Sequence, residues 1–416
     1  RNALLARMTG EVAELVLRDN YLQSQAINLI DANRLRVFDD QVRLMRLLEK
    51  KGRLNREVEF LPDDETLGER AAAKQGLTAP EISVLMCYSK IWLYDELLQS
   101  DLPDDPYLAA DLIGYFPAPL RRKYKKAIGR HRLRREIIAT RVTNSMINRV
   151  GGTFVHHFSE RSGLPSSTIA RAYIITREVF AIRGLWQAIE DLDNVVPASI
   201  QTAMFLDINR LIDWGTLWFL RHGKRPLDIG ACACEFTKGI EALVAGLDGV
   251  LPSRYRDDVG ERARPYTKNG VSENLALRIA GLVNLHSACD IVCLAGNRKV
   301  AVIAVAQLYF AVGTRFMMGH LRAASERMDS QTYWQKLAVA ALVEEIYDHQ
   351  LALTAQILDA AGGAVAVDKA IAIWEDKNRA AVERTDQLLA ELGASEINDL
   401  SMIAVASRQL RAMTES

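Results

Sequence analysis

The sequence predicts an all-α protein, a multi-helix array that ends in an antiparallel bundle of long helices. Three observations predict it. Proline is scarce: 11 in 416 residues, with none after Pro265, against a usual share of roughly 5%. Proline interrupts helix interiors because it lacks an N–H and clashes with the preceding turn, so the Pro-free stretch, rich in Ala, Leu, Glu and Arg, reads as long helices. Apolar residues recur at steps of three and four. No series of alternating β-branched segments joined by hairpin signals appears.

Taken in order, residues 1–30 interleave Arg7, Glu11, Glu14, Arg18 and Asp19 with apolar positions, and no signal-peptide core fits there. The chain begins with Arg1 rather than Met, which leads to the expectation of further chain upstream. Gly52–Gly76 reads as a polar loop. Thr78 with Glu81 forms a capping box, and Pro80 suits a first helical turn. The helix that follows carries a stripe at Val84, Tyr88, Ile91 and Leu98, then a turn around Pro103–Pro106. Met204, Ile208, Leu211, Gly215 and Trp218 form another stripe. Gly76, Gly163 and Gly270 each precede a helical pattern and serve as helix-start punctuation. Gly223–Gly230 and the charged stretch Pro252–Gly270 read as loops, the second as an exposed connection. Val300–Ala306 resembles a strand by itself, but the apolar pattern continues through Leu308, Tyr309, Phe310 and Val312, which favours a buried helix. Gln331–Ala361, Val365–Leu392 and Ser395–Ala412 read as three long helices with short links, which favour antiparallel packing. These elements divide into segments 1–115, 116–265 and 266–416.

Composition narrows the function classes. Lys+Arg and Asp+Glu are both 52, which excludes a broadly cationic nucleic-acid binder and a polyacidic disordered chain. The longest apolar runs, Val300–Ala306 and Leu337–Val343, are seven residues each, whereas a membrane-spanning helix needs about 20. Five cysteines at positions 87, 232, 234, 289 and 293 are too few for a disulfide scaffold, and their odd number points to a reducing compartment, the cytoplasm.

Several site motifs are missing. None of the 25 glycines is followed two residues later by another, so G-x-G-x-x-G is absent, and Gly223-Lys224 lacks the remainder of a P-loop. H-E-x-x-H and G-x-S-x-G do not occur. Cys232, Cys234 and Glu235, and His286, Cys289 and Cys293, are ligand-type residues at close spacing. Their apolar neighbours favour ordinary core positions over a metal site. His156 and His157 would point about 100° apart on a helix, one buried and one exposed.

Charge is the strongest local signal. Residues 121–141 hold ten basic residues against Glu136 alone, while 94–111 hold six acidic and no basic residues. Arg121, Arg122, Lys123, Lys125, Lys126, Arg130, Arg132, Arg134 and Arg135 are the candidate interface. Their partners are expected among Asp95, Asp101, Asp104 and Asp105 or on a neighbouring domain or subunit. An anionic ligand is a weaker alternative, and nucleic acid the weakest.

Several strings carry a resemblance. They are Arg1-Asn-Ala-Leu-Leu-Ala with Val16-Leu-Arg-Asp-Asn-Tyr21, Gly76-Leu-Thr-Ala-Pro-Glu81, Leu93-Tyr-Asp-Glu-Leu-Leu98 and Asp101-Leu-Pro-Asp-Asp105. Downstream come His131-Arg-Leu-Arg-Arg-Glu-Ile-Ile-Ala-Thr140 with Asn144, Asn148 and Arg149, then Tyr309-Phe-Ala-Val-Gly313 and Trp334-Gln335. Together they resemble the C-terminal region of the large bacterial NAD-specific glutamate dehydrogenases, densely over 1–222 and 270–360 and loosely elsewhere. The resemblance implies a parent enzyme that converts L-glutamate, NAD and water to 2-oxoglutarate, ammonium and NADH. In that family the nucleotide fold and the catalytic Lys and Asp lie upstream, so no catalytic, cofactor-binding or metal residue is assigned here. The segment is then expected to bind no cofactor itself and to act in structure, assembly or regulation. Its expected partners are the upstream dehydrogenase domain and further copies of the chain in a homo-oligomer, not a membrane. The alternative is a free-standing helical interaction module that docks an acidic partner through residues 121–141.

Overall fold

The computed structural model describes residues 2–328, 332–362, 366–393, 397 and 399–415. Among them are 22 α-helices, three short 3₁₀ turns and no strand, as the scarcity of proline and the helical spacing predict. Packing divides the chain into two compact units, one comprising Arg1–Glu235 with Tyr266–Leu275 and the other Phe236–Pro265 with Ala276–Ser416.

The first unit opens with α1 (Asn2–Ala32), α2 (Arg34–Lys50), α3 (Asp64–Ala72) and α4 (Ala79–Leu98). Short helices α5 (Ala109–Tyr115), α6 (Ala118–Lys123) and α7 (Lys125–Gly129) lead into α8 (Arg134–Val150), and then come α9 (Phe154–Ser162), α10 (Ser166–Val179), α11 (Ile182–Glu190) and α12 (Ala198–His222). At the start of α4 the Thr78 backbone N–H donates to Glu81 Oε2 at 2.7 Å, and Arg70 grips the same carboxylate at 2.7 and 3.0 Å. Helices α4, α10 and α15 (below) each begin three residues after Gly76, Gly163 and Gly270. Gly163 and Gly270 have positive φ, the conformation glycine adopts at least cost.

Helix α10 is the centre of this unit. Ile169, Ala170, Ala172, Tyr173, Ile174, Ile175, Thr176 and Val179 are all buried, the signature of a helix surrounded by others. Against it lies α12, where Met204, Ile208, Leu211 and Gly215 are buried and Trp218 is half-buried, the stripe the sequence predicts. Gly215 is required there, because a Cβ would meet the Thr176 side chain at 2.5 Å.

Both units draw on α13 (Ile229–Val250), α14 (Ser253–Lys268) and α15 (Glu273–Ala280). The second unit continues with α16 (Ala288–Arg298), α17 (Val302–Arg315), α18 (Met318–Arg327), α19 (Tyr333–Ala361), α20 (Val367–Lys377), α21 (Arg379–Gly393) and α22 (Leu400–Thr414). Its core joins Val312, Phe316, Ile346, Leu353, Trp374 and Leu410.

Four local expectations are corrected. The stretch Pro252–Gly270 is not a loop: it forms α14, because Val259, Ala263 and Tyr266 recur at helical spacing within the charges and are buried. The polar loop Gly52–Gly76 contains α3, started by Asp63, whose side chain accepts from Thr66 N at 2.8 Å. The buried face of α4 is not Val84, Tyr88, Ile91 and Leu98 but Ile82, Leu85, Met86, Ser89, Trp92, Leu93 and Leu97, while Ile91 is exposed. Over Val365–Leu392, the helix ends at Asn378, whose backbone N–H donates to Trp374 O at 3.1 Å and whose side-chain Nδ2 donates to the same carbonyl at 2.8 Å, capping the last turn. Residues 331, 365 and 395, where the three long helices are predicted to begin, lie outside the described residues. Val300–Ala306 is helical from Val302 on, and no single helix among the described residues is long and apolar enough to cross a membrane.

Candidate functional site

The basic run occupies α6, α7 and the start of α8, and its members have different surroundings. Arg121 donates from Nε to Phe116 O at 2.6 Å and from Nη2 to Gly114 O at 3.0 Å, which satisfies carbonyls at the end of α5. Arg135 donates to Leu98 O and Ser100 O, both at 2.8 Å, where α4 ends, and pairs with Asp104, which also accepts from Arg134 at 3.0 Å. The other acidic residues of 94–105 turn elsewhere. Asp101 and Asp105 pair with Arg171, and Asp95 with Arg53. Lys123 lies over the Tyr124 ring. Arg122, Lys125, Lys126, Arg130 and Arg132 are exposed and form no ion pair among the described residues.

A second arrangement was not singled out by the sequence. Helices α1, α5, α8, α10 and α11 enclose a cleft of about 600 Å³ in the first unit, with Arg18, Arg141, Arg149, Arg177 and Arg183 in its wall. Helix α8 supplies Arg141, Asn144, Ser145, Asn148 and Arg149 at steps of three and four, one face of a helix, while Ile138, Val142 and Met146 are buried. Asn144, Asn148 and Arg149 are thus the polar stripe of an amphipathic helix, and they belong to the strings that carry the resemblance.

The cleft holds two charge clusters. In one, the buried Glu190 accepts from Arg149 Nη1 at 2.6 Å and from Arg18. The Arg149 guanidinium lies 4.5 Å from the Trp186 ring centroid, a cation–π contact. In the other, Asp111 faces Arg183 at 3.3 Å, Arg177 at 3.9 Å and Arg141 at 4.0 Å. Glu178 pairs with Arg177 at 2.7 Å and Arg183 at 3.3 Å. Burial holds the Arg141 guanidinium below its ordinary pKa, against the opposing pull of Asp111. Burial acts the same way on Arg183, but Asp111 and Glu178 outweigh it and raise the pKa. Three buried polar atoms of the cleft residues, Arg141 Nε, Arg177 Nη2 and Asn148 Oδ1, have no hydrogen-bond partner.

The remaining sequence candidates are dispersed. Cys289 is buried and Cys293 half-buried on α16, whereas His286 precedes that helix and lies 3.2 Å from the Tyr347 hydroxyl. No group of three or more His, Cys, Asp or Glu side chains is placed to hold a metal ion among the described residues. Cys232 is half-buried and Cys234 exposed. His156 is buried, with its pKa lowered chiefly by burial, while His157 is half-buried and 3.3 Å from Asp40.

Fold and site together define a helical region in which guanidinium groups from several helices converge on shared carboxylates. Its relationships are specific. The family described as "Glutamate dehydrogenase, C-terminal" matches residues 74–412. Over all 416 residues the chain is 38% identical to a protein named NAD-specific glutamate dehydrogenase from Pseudomonas aeruginosa, 35% to one from Halomonas elongata and 31% to one from Mycobacterium tuberculosis. It spans 26% of the length of each. The chain belongs to the NAD-specific glutamate dehydrogenase family and corresponds to its C-terminal region.

Proposed function

We propose that this chain is the non-catalytic part of a large enzyme that oxidises L-glutamate with NAD, and that it serves the assembly or regulation of that enzyme. The observation that carries the reading is the match along the whole chain to one quarter of each relative's length. The missing phosphate-cradling glycine loop agrees with it. Helix α1 offers support for an upstream partner in the same polypeptide: Leu5, Val12 and Val16 are exposed, at helical spacing on one face. The exposed cations of residues 122–132 are the proposed contact to a further subunit.

Two assays test this reading. The 416-residue chain is expected to show no glutamate-dependent reduction of NAD and no saturable heat on titration with NAD. Saturable binding in the micromolar range overturns it.

A further inference from the structure

We propose that the arginine cleft of the first unit is a binding site for a small organic oxyanion, one that carries a carboxylate or phosphate together with a hydrogen-bond donor. The inference concerns a ligand site of the helical region itself and stands whatever reaction the parent enzyme performs.

The walls set the charge. Five guanidinium groups line the cleft with three carboxylates, those of Asp19, Asp111 and Glu190, and a fourth, Glu178, pairs with Arg177 and Arg183, so positive charge exceeds negative by one. The excess sits around Asp111. A charge-assisted hydrogen bond between guanidinium and carboxylate has a length of about 2.7–2.9 Å. Arg149 makes such a bond to Glu190 at 2.6 Å, whereas Arg141, Arg177 and Arg183 stand 3.3–4.0 Å from Asp111. Asp111 gathers these three groups without saturating them. The Arg177 side chain is only 3% exposed and its Nη2 has no hydrogen-bond partner, although Glu178 lies 2.7 Å away. Arg141 Nε is buried and unbonded as well. A buried donor left without a well-aligned acceptor is costly, and an oxyanion with several lone pairs would satisfy Arg141 Nε and offer Arg177 Nη2 a second acceptor beside Glu178.

A second feature shapes the rest of the ligand. Asn148 is 2% exposed, lines the same cleft, and its Oδ1 receives no hydrogen bond. Arg141 and Asn148 are seven residues apart on α8, a rise of roughly 10 Å. A molecule that satisfies both is therefore larger than a bare inorganic anion, and it presents a donor, such as an ammonium or hydroxyl group, to Asn148. Trp186 and the apolar residues Leu15 and Leu22 of α1 add apolar lining that suits a carbon skeleton.

The test is calorimetric titration of the 416-residue chain at constant ionic strength with three probes. L-Glutamate offers carboxylates and an ammonium group, ribose 5-phosphate offers a phosphate and hydroxyls, and inorganic phosphate is the bare oxyanion. Saturable binding of one or both organic probes, about tenfold tighter than inorganic phosphate, is expected. Arg141→Gln and Arg183→Gln should each weaken it by about tenfold, the loss of one charge-assisted hydrogen bond. The Arg183 side chain is half exposed, so Arg183→Gln keeps the test usable if Arg141→Gln fails to fold, which the helical dichroism signal will report. Binding of glutamate alone assigns the site to carboxylates, and binding of ribose 5-phosphate alone assigns it to phosphate esters. If neither organic probe saturates, if inorganic phosphate binds equally well, or if both folded variants keep the parent affinity, the proposal is overturned.

Discussion

Residues 122–132 and the cleft between α1, α8 and α11 are both rich in cations, yet they differ in kind. In the first, the charges are adjacent in sequence and exposed, and they have few partners within the chain. In the second, arginines drawn from positions 18 to 183 converge, most of them are matched by carboxylates, and Arg177 is buried outright. The difference teaches that charge density along a sequence and charge density in space are separate quantities. A run of like charges repels itself unless it is solvated, so it sits on short surface helices. A cluster assembled from different helices can be buried in part, because carboxylates shared among the guanidinium groups offset part of their desolvation.

Removing a carboxylate from each region separates the two most strongly. Glu190→Gln leaves the nearly buried Arg149 without its counter-ion. Breaking a buried ion pair costs about 3–5 kcal/mol, and we expect about 3 kcal/mol here because Arg18 remains partly solvated. Asp104→Asn in the basic region should cost less than about 1 kcal/mol, as exposed pairs do. Urea denaturation of the two variants checks this. Equal losses would erase the distinction between the regions.

Within the basic run the contrast repeats on a smaller scale. Arg135→Ala removes two hydrogen bonds to the carbonyls of Leu98 and Ser100 at the end of α4 and should cost about 1–2 kcal/mol. Arg132→Ala, three residues away and exposed, should stay within about 0.5 kcal/mol of the parent. The midpoint of thermal unfolding reads both.

The fold class was legible in the sequence because proline scarcity and three-to-four spacing act on every element at once. Local errors arose where one pattern hid another. The charges of Pro252–Gly270 concealed the stripe Val259, Ala263 and Tyr266, and a helix ends at Asn378 where no proline or glycine marks the stop. The α4 stripe was misplaced because that helix is apolar on more than one face, so spacing alone does not select the buried side. The arginine cleft was illegible for a different reason. Its cations are scattered over four helices, and only tertiary packing brings them together. One signal was available: Asn144, Asn148 and Arg149 form a polar stripe along a helix whose other face is core.

A carboxylate outside both regions supplies a pH control. At the start of α4, burial pushes the Glu81 carboxyl upward, but the Arg70 fork and the Thr78 backbone N–H outweigh burial and leave its pKa below the ordinary value of 4.5. A depressed folded-state pKa contributes stability that is complete above the unfolded value and is lost as pH falls through the folded one. Below about pH 4.5 the chain should therefore lose this contribution, of the order of 1 kcal/mol. Glu81→Gln should lose it at every pH and flatten that part of the acid limb. An unchanged acid limb in Glu81→Gln would remove Glu81 from the account.

The smallest expected effect on the chain itself is the sharpest test of the exposed run. Reversing Arg122, Lys125, Lys126 and Arg130 to Glu avoids Arg121, Arg134 and Arg135, whose side chains bond within the chain. The four are exposed, and surface substitutions away from specific contacts stay within about 0.5 kcal/mol each. Relief of mutual repulsion opposes the loss of any long-range attraction to the acidic residues nearby, so thermal stability of the 416-residue chain should scarcely move. If these cations meet another subunit, the same reversal in the full-length enzyme should lower its oligomer mass in sedimentation. In the unmutated enzyme, added salt should weaken the same contact, because the screening length falls from roughly 8 Å at physiological ionic strength to about 3 Å at 1 M. Loss of chain stability without loss of assembly would reverse the assignment and make the run an internal structural element. Loss of neither would leave these residues as solvated surface and remove them from the proposed contact.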